Sequence, residues 1–324
     1  MADEHIARRV SIGIGKETTS GTNVSAAYWI PKESWGLKPI VKKAVDTWGY
    51  GVIDERYDSE TVQQMTETTL EGIVRDTFFG ALLMGVFGTD TPSTVSSTYV
   101  HAFTRANTNT HPSFTVHEFN MVQSYYSAYS MVDELEISAE PWDFVKFSVK
   151  MMWKKMVAES DPTPSFVEEN DFRASQVKVY FADTEAGLAW ASETKVKSFR
   201  ITINKNLIPY QVLGSDDIDG IYNQQFTVTW DLEALFNSTT LYGLFAASTK
   251  KFMRITITNT DVTIGSGQNP KLEFIFGRVA LEDWGKTQDN NDLVMQTMWF
   301  VGEFNATDGF TLKANLQNLQ SAAY

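Results

Sequence analysis

The chain has 324 residues and no cysteine, and 27 Lys plus Arg against 40 Asp plus Glu leave a formal net charge of −13. The missing thiols exclude disulfides, thiolate catalysis and Cys-bound zinc or iron–sulfur centres. The acidic balance argues against a protein that grips nucleic-acid phosphates. Apolar residues at 43% and aromatics at 13% suffice for a sizeable core, and the length suggests about two domains.

The opening MADEHIARRV lacks the apolar segment of a signal peptide. Gly13, Gly15 and Gly21, set among Thr and Ser, read as an extended arm over residues 1–33. Tyr28, Trp29 and Ile30 are placed to anchor that arm on a neighbouring surface. The longest apolar run, 78–87, is far short of the ~20 residues a membrane helix needs. It instead predicts a helix over 77–87, capped by Asp76 or Thr77. Alternating apolar and polar residues predict two strands in 132–153, and further strands at 196–203, 226–232, 252–258, 272–276 and 293–304. Short helices are expected at 183–192 and at 238–248, the latter capped by Ser238. The expected class is mainly β with two or three small helices.

The order of features recurs. Phe78 and Thr240, in the first and third helices, stand 162 positions apart. Each helix follows a strand (68–74 and 226–232), and each strand follows an acidic, Gly-containing stretch (49–60 and 213–222). Downstream, 113–119 matches 252–258 and 144–153 matches 293–302. This order predicts a duplication, with its joint in the Pro- and Glu-containing stretch 159–173. The expected units are an arm (1–33), a first copy (34–160), a linker with a short helix (161–195) and a second copy (196–324).

Catalytic and ligand motifs are sought with little return. Gly13-Ile14-Gly15-Lys16 lacks both the preceding glycine of a phosphate loop, where Val10 stands, and the Ser or Thr after the lysine, where Glu17 stands. His101, His111 and His117 match no metal-ligand spacing. The loop Ser215-Asp216-Asp217-Ile218-Asp219-Gly220 lacks EF-hand spacing and its closing Glu. Neighbours such as Glu134/Glu136 and Glu282/Asp283 carry no information in a chain with 40 acids. No nucleophile motif is present. The expectation is therefore a protein that is not an enzyme, with no metal or cofactor. Nine tryptophans and twelve tyrosines leave open a non-catalytic, glycan-binding β-sandwich with aromatic platforms.

A resemblance joins these pieces. The stretch 12–31 (IGIGKETTSGTNVSAAYWIP) is similar to the start of a family of phage tail tube proteins, which open on G-x-G-K-E-T-x-x-G-T and then an aromatic pair before a proline. The likeness continues in order through 51–60, 69–79, 107–114, 168–172, 201–206, 211–214 and 259–270. It implies two tandem tail-tube-type β-sandwich or barrel domains, each with a short flanking α-helix. It also implies rings that stack into the hollow tail tube of a siphovirus-like, long-tailed phage, with the inner sheets of neighbours joining into a channel for DNA.

A chain with two such domains would close trimeric rings of pseudo-sixfold symmetry, a hexamer being the runner-up. Expected partners are other copies of itself, the tail tip or baseplate, the tape measure and the tail terminator. DNA would pass without binding, no membrane would be engaged, and assembly would take place in the host cytoplasm. A terminator or a baseplate hub is the nearest competing ring protein. An anionic lumen would repel DNA, and strand alternation nominates Glu67, Glu71, Glu134, Glu136, Asp231, Glu233 and Glu303 to face it. Expected subunit and ring contacts are Tyr28 and Trp29 in the arm, and Asp54, Glu55, Arg56 and Asp58 in the first acidic loop. Asp216, Asp217 and Asp219 in the second loop, and Tyr324 with the segment 315–324, complete the set.

Overall fold

A computed structural model describes residues 6–109 and 111–324. Residues 1–5 of the expected arm lie outside the described residues. The fold is mainly β. The first half contains β1 (Ser11–Lys16), β2 (Tyr28–Ile30), the long β3 (Ser34–Asp46) and β4 (Asp58–Ile73), α1 (Phe79–Phe87), β5 (Gly88–Val95) and β6 (Thr98–Arg105). It continues with β7 (Phe114–Phe119), β8 (Ser124–Ala139), β9 (Lys146–Trp153) and β10 (Val157–Glu159). The second half contains β11 (Val177–Ala182), β12 (Glu193–Thr194), β13 (Ser198–Asn204), β14 (Ile208–Tyr210), β15 (Gly220–Tyr222) and β16 (Thr227–Leu235). After α2 (Thr240–Ala246) come β17 (Lys251–Thr258), β18 (Lys271–Thr287), β19 (Met295–Gly302) and β20 (Leu312–Asn318).

Antiparallel pairing joins β3–β4–β9–β8–β13–β16–β19–β18 into one continuous layer. Alternation along the central strands, clearest in β13 and β16, gives the layer one apolar and one polar face. Leu70, Val149, Leu135, Ile201, Leu232 and Met298 point from it into a single core that also takes in α1 and the strands behind. The long strands β8 and β18 change partners along their length. Their first parts pair with β7 and β17, and their second parts with β9 and β19.

The pairings recur between the halves. The ladder β2–β1–β7–β8–β9–β4–β3 has the same order as β12–β11–β17–β18–β19–β16–β13. β10 lies against the start of β8 as β20 lies against the start of β18. The register recurs as well. Glu71 stands opposite Ser34 and Ser148, and Glu233 opposite Ser198 and Thr297. A bulge falls between Val132 and Glu134 in β8 and between Leu281 and Asp283 in β18. The hairpin β5–β6 has no counterpart after α2, and it pairs through β6 with β20.

Three local expectations are corrected. Residues 11–16 and 28–30 do not form a free arm. β1 pairs with β2 and β7 inside the chain, and Trp29 and Ile30 are buried. The glycines that suggested looseness serve close crossing instead: a Cβ on Gly15 would lie 2.3 Å from Ser25 O, and one on Gly13 2.7 Å from Ala26 Cβ. In the same motif the buried Glu17 accepts hydrogen bonds from Gly21 N, Ser113 Oγ, Thr115 Oγ1 and Tyr129 N. Between 161 and 195, β11 joins β17 in the second half's sheet. The stretch before it packs on the first half, with Phe172 fully buried. The helix expected at 183–192 reduces to a single 3-10 turn, Ala186–Ala189.

Candidate functional site

The polar face of the eight-strand layer gathers most of the nominated acids. Residues paired across strands share a face, and the rows can be read from the ladders. One row runs Ser34, Glu71, Ser148, Glu136, Thr202, Thr229. The next runs Gly36, Thr69, Lys150, Glu134, Asn204, Thr227, and another carries Lys146, Ser138, Arg200, Asp231, Trp299 and Asp283. Glu67 faces Lys38, and Glu233 faces Ser198 and Thr297. Glu67, Glu71, Glu134, Glu136, Asp231 and Glu233 thus lie on one surface. Glu303 stands beyond β19 and pairs with Lys250 at 2.7 Å and Arg278 at 2.8 Å.

Several of these charges are neutralised locally. Glu134 meets Lys150 at 2.6 Å and accepts from Asn204 Nδ2 at 2.9 Å, tying β9, β8 and β13 together. Arg200 lies 3.4 Å from Glu136, and Lys197 3.1 Å from Glu233. The Glu134 contact raises the Lys150 pKa, against a smaller effect of burial. Partial burial raises the Asp231 carboxyl, which the nearby Arg200 opposes. Among the described residues, Glu67 and Glu71 have no cation within 4.0 Å. Glu67 has Lys38 directly across the ladder, whereas Glu71 stands between Ser34 and Ser148.

The expected contact residues divide. Tyr28, Trp29 and Tyr324 are held inside their own chain. The Tyr324 ring lies 5.7 Å from Tyr28 and 4.8 Å from His101, and only 4% of the residue is exposed. The second acidic loop is also engaged internally. Gln64 N donates to Asp216 O at 2.8 Å, Lys155 pairs with Asp217 at 2.7 Å, and Asp219 N donates to Tyr210 O. Ile218 and Ile221 from this region pack on Met65, Met131 and Met152, covering one end of the polar face in the first half. The acidic pattern missed this because a buried Ile sits between the aspartates.

The first acidic loop stands free at the tip of the β3–β4 hairpin. Asp54, Glu55 and Arg56 are exposed, and Asp58 opens β4. Around them stand exposed apolar groups that the acidic reading passed over: Trp48, Val52, Ile53 and Tyr57. Tyr50 and Tyr57 stack at 4.0 Å, and Tyr50 Oη donates to Asp46.

The other nominated chemistry separates in space. His101 lies between Asp90 and Gln320 O, His111 beside Ala106 O, and His117 between Glu159 and Val24 O. Burial, aided by Lys205, lowers His111 to about 4. The fully exposed tryptophans Trp48, Trp142 and Trp190 stand on three separate loops, so they build no shared platform for a sugar. A family model described as phage tail tube protein matches residues 7–304. No curated protein matches the chain.

Proposed function

Since the chain belongs to the phage tail tube protein family, a structural component of the virion tail, we propose that it closes into rings that stack into the conduit for DNA ejection. The observation that carries this reading is the eight-strand layer, apolar on one face and acid-rich on the other, ending in two unpaired edges. Among the described residues, β3 pairs only with β4, and residues 280–287 of β18 pair only with β19. Open edges of that length invite uncontrolled association, and ring closure consumes them.

The recurring ladder supports two tube units in one chain, so three chains would supply six units per ring; a hexamer of the whole chain is the competing stoichiometry. The acid-rich face would line the lumen, where uncompensated carboxylates repel phosphates and let DNA slide. The role is structural, without catalysis. Tail tip or baseplate, tape measure and terminator proteins are the expected neighbours, with assembly in the host cytoplasm.

Electron microscopy of the purified chain at rising concentration tests this. Hollow end-on views with threefold, pseudo-sixfold averages are expected. True sixfold averages would refute the trimer and keep the tube. Solid particles alone, even with the tail-tip complex added as a nucleus, would refute ring assembly.

A further inference from the structure

The chain contains a template for its own subunit contact. Its halves join where β8 pairs with β13, from Glu134 opposite Asn204 to Ala139 opposite Phe199. In the recurring ladder β13 corresponds to β3 and β8 to β18, and the shared register fixes the correspondence residue by residue. Ser34 matches Ser198, each opposite a Glu of the adjoining strand, Glu71 and Glu233. Glu134 matches Asp283, each the first pair after the bulge, opposite Lys150 and Trp299. The edges that correspond to the internal junction are the two unpaired ones.

We propose that β3 of one copy pairs antiparallel with the second part of β18 of the next, with Ile40 opposite Asp283, Lys38 opposite Gly285 and Gly36 opposite Thr287. The proposal rests on the ring reading and specifies which strands meet and in what register. It sets Lys38 diagonal to Asp283, a favourable cross-strand pair. Pro39 would face Trp284 and removes at most one donor from the new ladder.

The same correspondence places the hairpin tip. In the chain, the loop after β13 covers Met65, Met131 and Met152. The loop after β3, with exposed Trp48 and Ile53, would lie over the matching positions Thr227 and Val301 of the neighbour, beside Ala280, which its own chain already buries. The first half has its cover supplied by the second; the second half receives its cover from the next copy.

The chain has no native cysteine, so disulfide trapping is clean. Gly36 has room for a Cβ, with Thr69 O at 3.9 Å the nearest atom. Under mild oxidation of assembled tubes, the double variant Gly36→Cys/Thr287→Cys is expected to give a covalent ladder ending at the closed ring. The pair Lys38→Cys/Thr287→Cys, shifted by two residues, should link several-fold less. Ile53→Asp should leave monomer melting unchanged and raise the concentration needed for assembly about tenfold. Tubes that form normally but link no better in register than out of it would overturn the proposal and leave the ring reading standing. A wild-type chain that makes no rings under any condition would remove both.

Discussion

Gly80, in the first turn of α1, would ordinarily be a weak choice, because Gly in a helix costs about 1 kcal/mol relative to Ala. Here a Cβ would lie 2.2 Å from Tyr324 Cζ, inside the ring's own volume. The tyrosine is held on three sides: Asn318 Nδ2 donates to its hydroxyl at 2.7 Å, its own N–H donates to Asp90 at 2.9 Å, and its ring contacts Tyr28 and His101. Losing a buried aromatic costs roughly 3 kcal/mol or more, which exceeds the propensity gain. Gly80→Ala should therefore destabilise the monomer by about 2 kcal/mol in urea unfolding. Because it acts through Tyr324, adding it to Tyr324→Ala should cost nothing further and recover the propensity gain. A more stable Gly80→Ala single variant would show that Tyr324 does not dock as described.

At the scale of elements, α1 depends on the second half of the chain. Its residues are all buried and it has no side-chain cap of its own. Glu169 Oε2 instead accepts from Thr77 N at 3.2 Å and Phe78 N at 3.0 Å, and Lys205 Nζ donates to Gly85 O at 2.8 Å. A carboxylate at the N-terminus and an ammonium at the C-terminus both suit the helix dipole. Burial lowers the Lys205 pKa to about 7, against an opposing pull from Asp133. The folded value lies below the unfolded one near 10.5, so the unfolded chain binds more protons between those limits. Stability should then rise with pH from about 7 to about 10.

Lys205→Met should flatten that rise in denaturation midpoints measured across the window. An unchanged slope would mean that Lys205 titrates normally. The acid side is less clean. Glu169, raised by burial to about 6, loses stability as pH rises from 4.5 to 6, whereas His111, lowered to about 4, gains it from 4 to 6.5. The two contributions oppose each other.

For the whole molecule, charge decides whether a tube would release its cargo. Glu67 and Glu71 are among the acids of the polar face that form no ion pair within 4.0 Å among the described residues, so they should contribute strongly to the lumen field. Reversing both, as Glu67→Lys/Glu71→Lys, should make assembled tubes retain duplex DNA at about 0.05 M salt and release it at about 0.5 M, as counterion screening requires. The wild-type tube should bind none at either salt. DNA-free variant tubes at low salt would place this face away from the channel. The same scale explains why the layer contains both halves: neither half closes its own edge, so β8 pairs with β13 and β6 with β20.

What the sequence determined by itself was local and periodic. Alternation located β8, β9, β13, β16, β17 and β19, because half-buried strands must repeat every two residues. The apolar run 78–87 located α1, and the order of strands, acidic loops and helices pointed to the recurrence that the strand ladders of the two halves display. Six of the seven nominated acids share one face because the same alternation sets the side on which each falls; Glu303 stands beyond the end of β19. Tertiary structure alone decided what depends on long-range contact. Gly13 and Gly15 read as loose until the 24–27 segment crosses them. The residues Asp216, Asp217 and Tyr324 read as contacts to another copy until β4, Lys155 and α1 of their own chain receive them. The helix expected at 183–192 gives way to the connection of the β11–β12 hairpin, which holds the single 3-10 turn Ala186–Ala189. Residues of both halves share one core, so no composition shift marks where one half gives way to the other. The register that matches β3 to β13 is a property of pairing, and pairing is not written in any one strand.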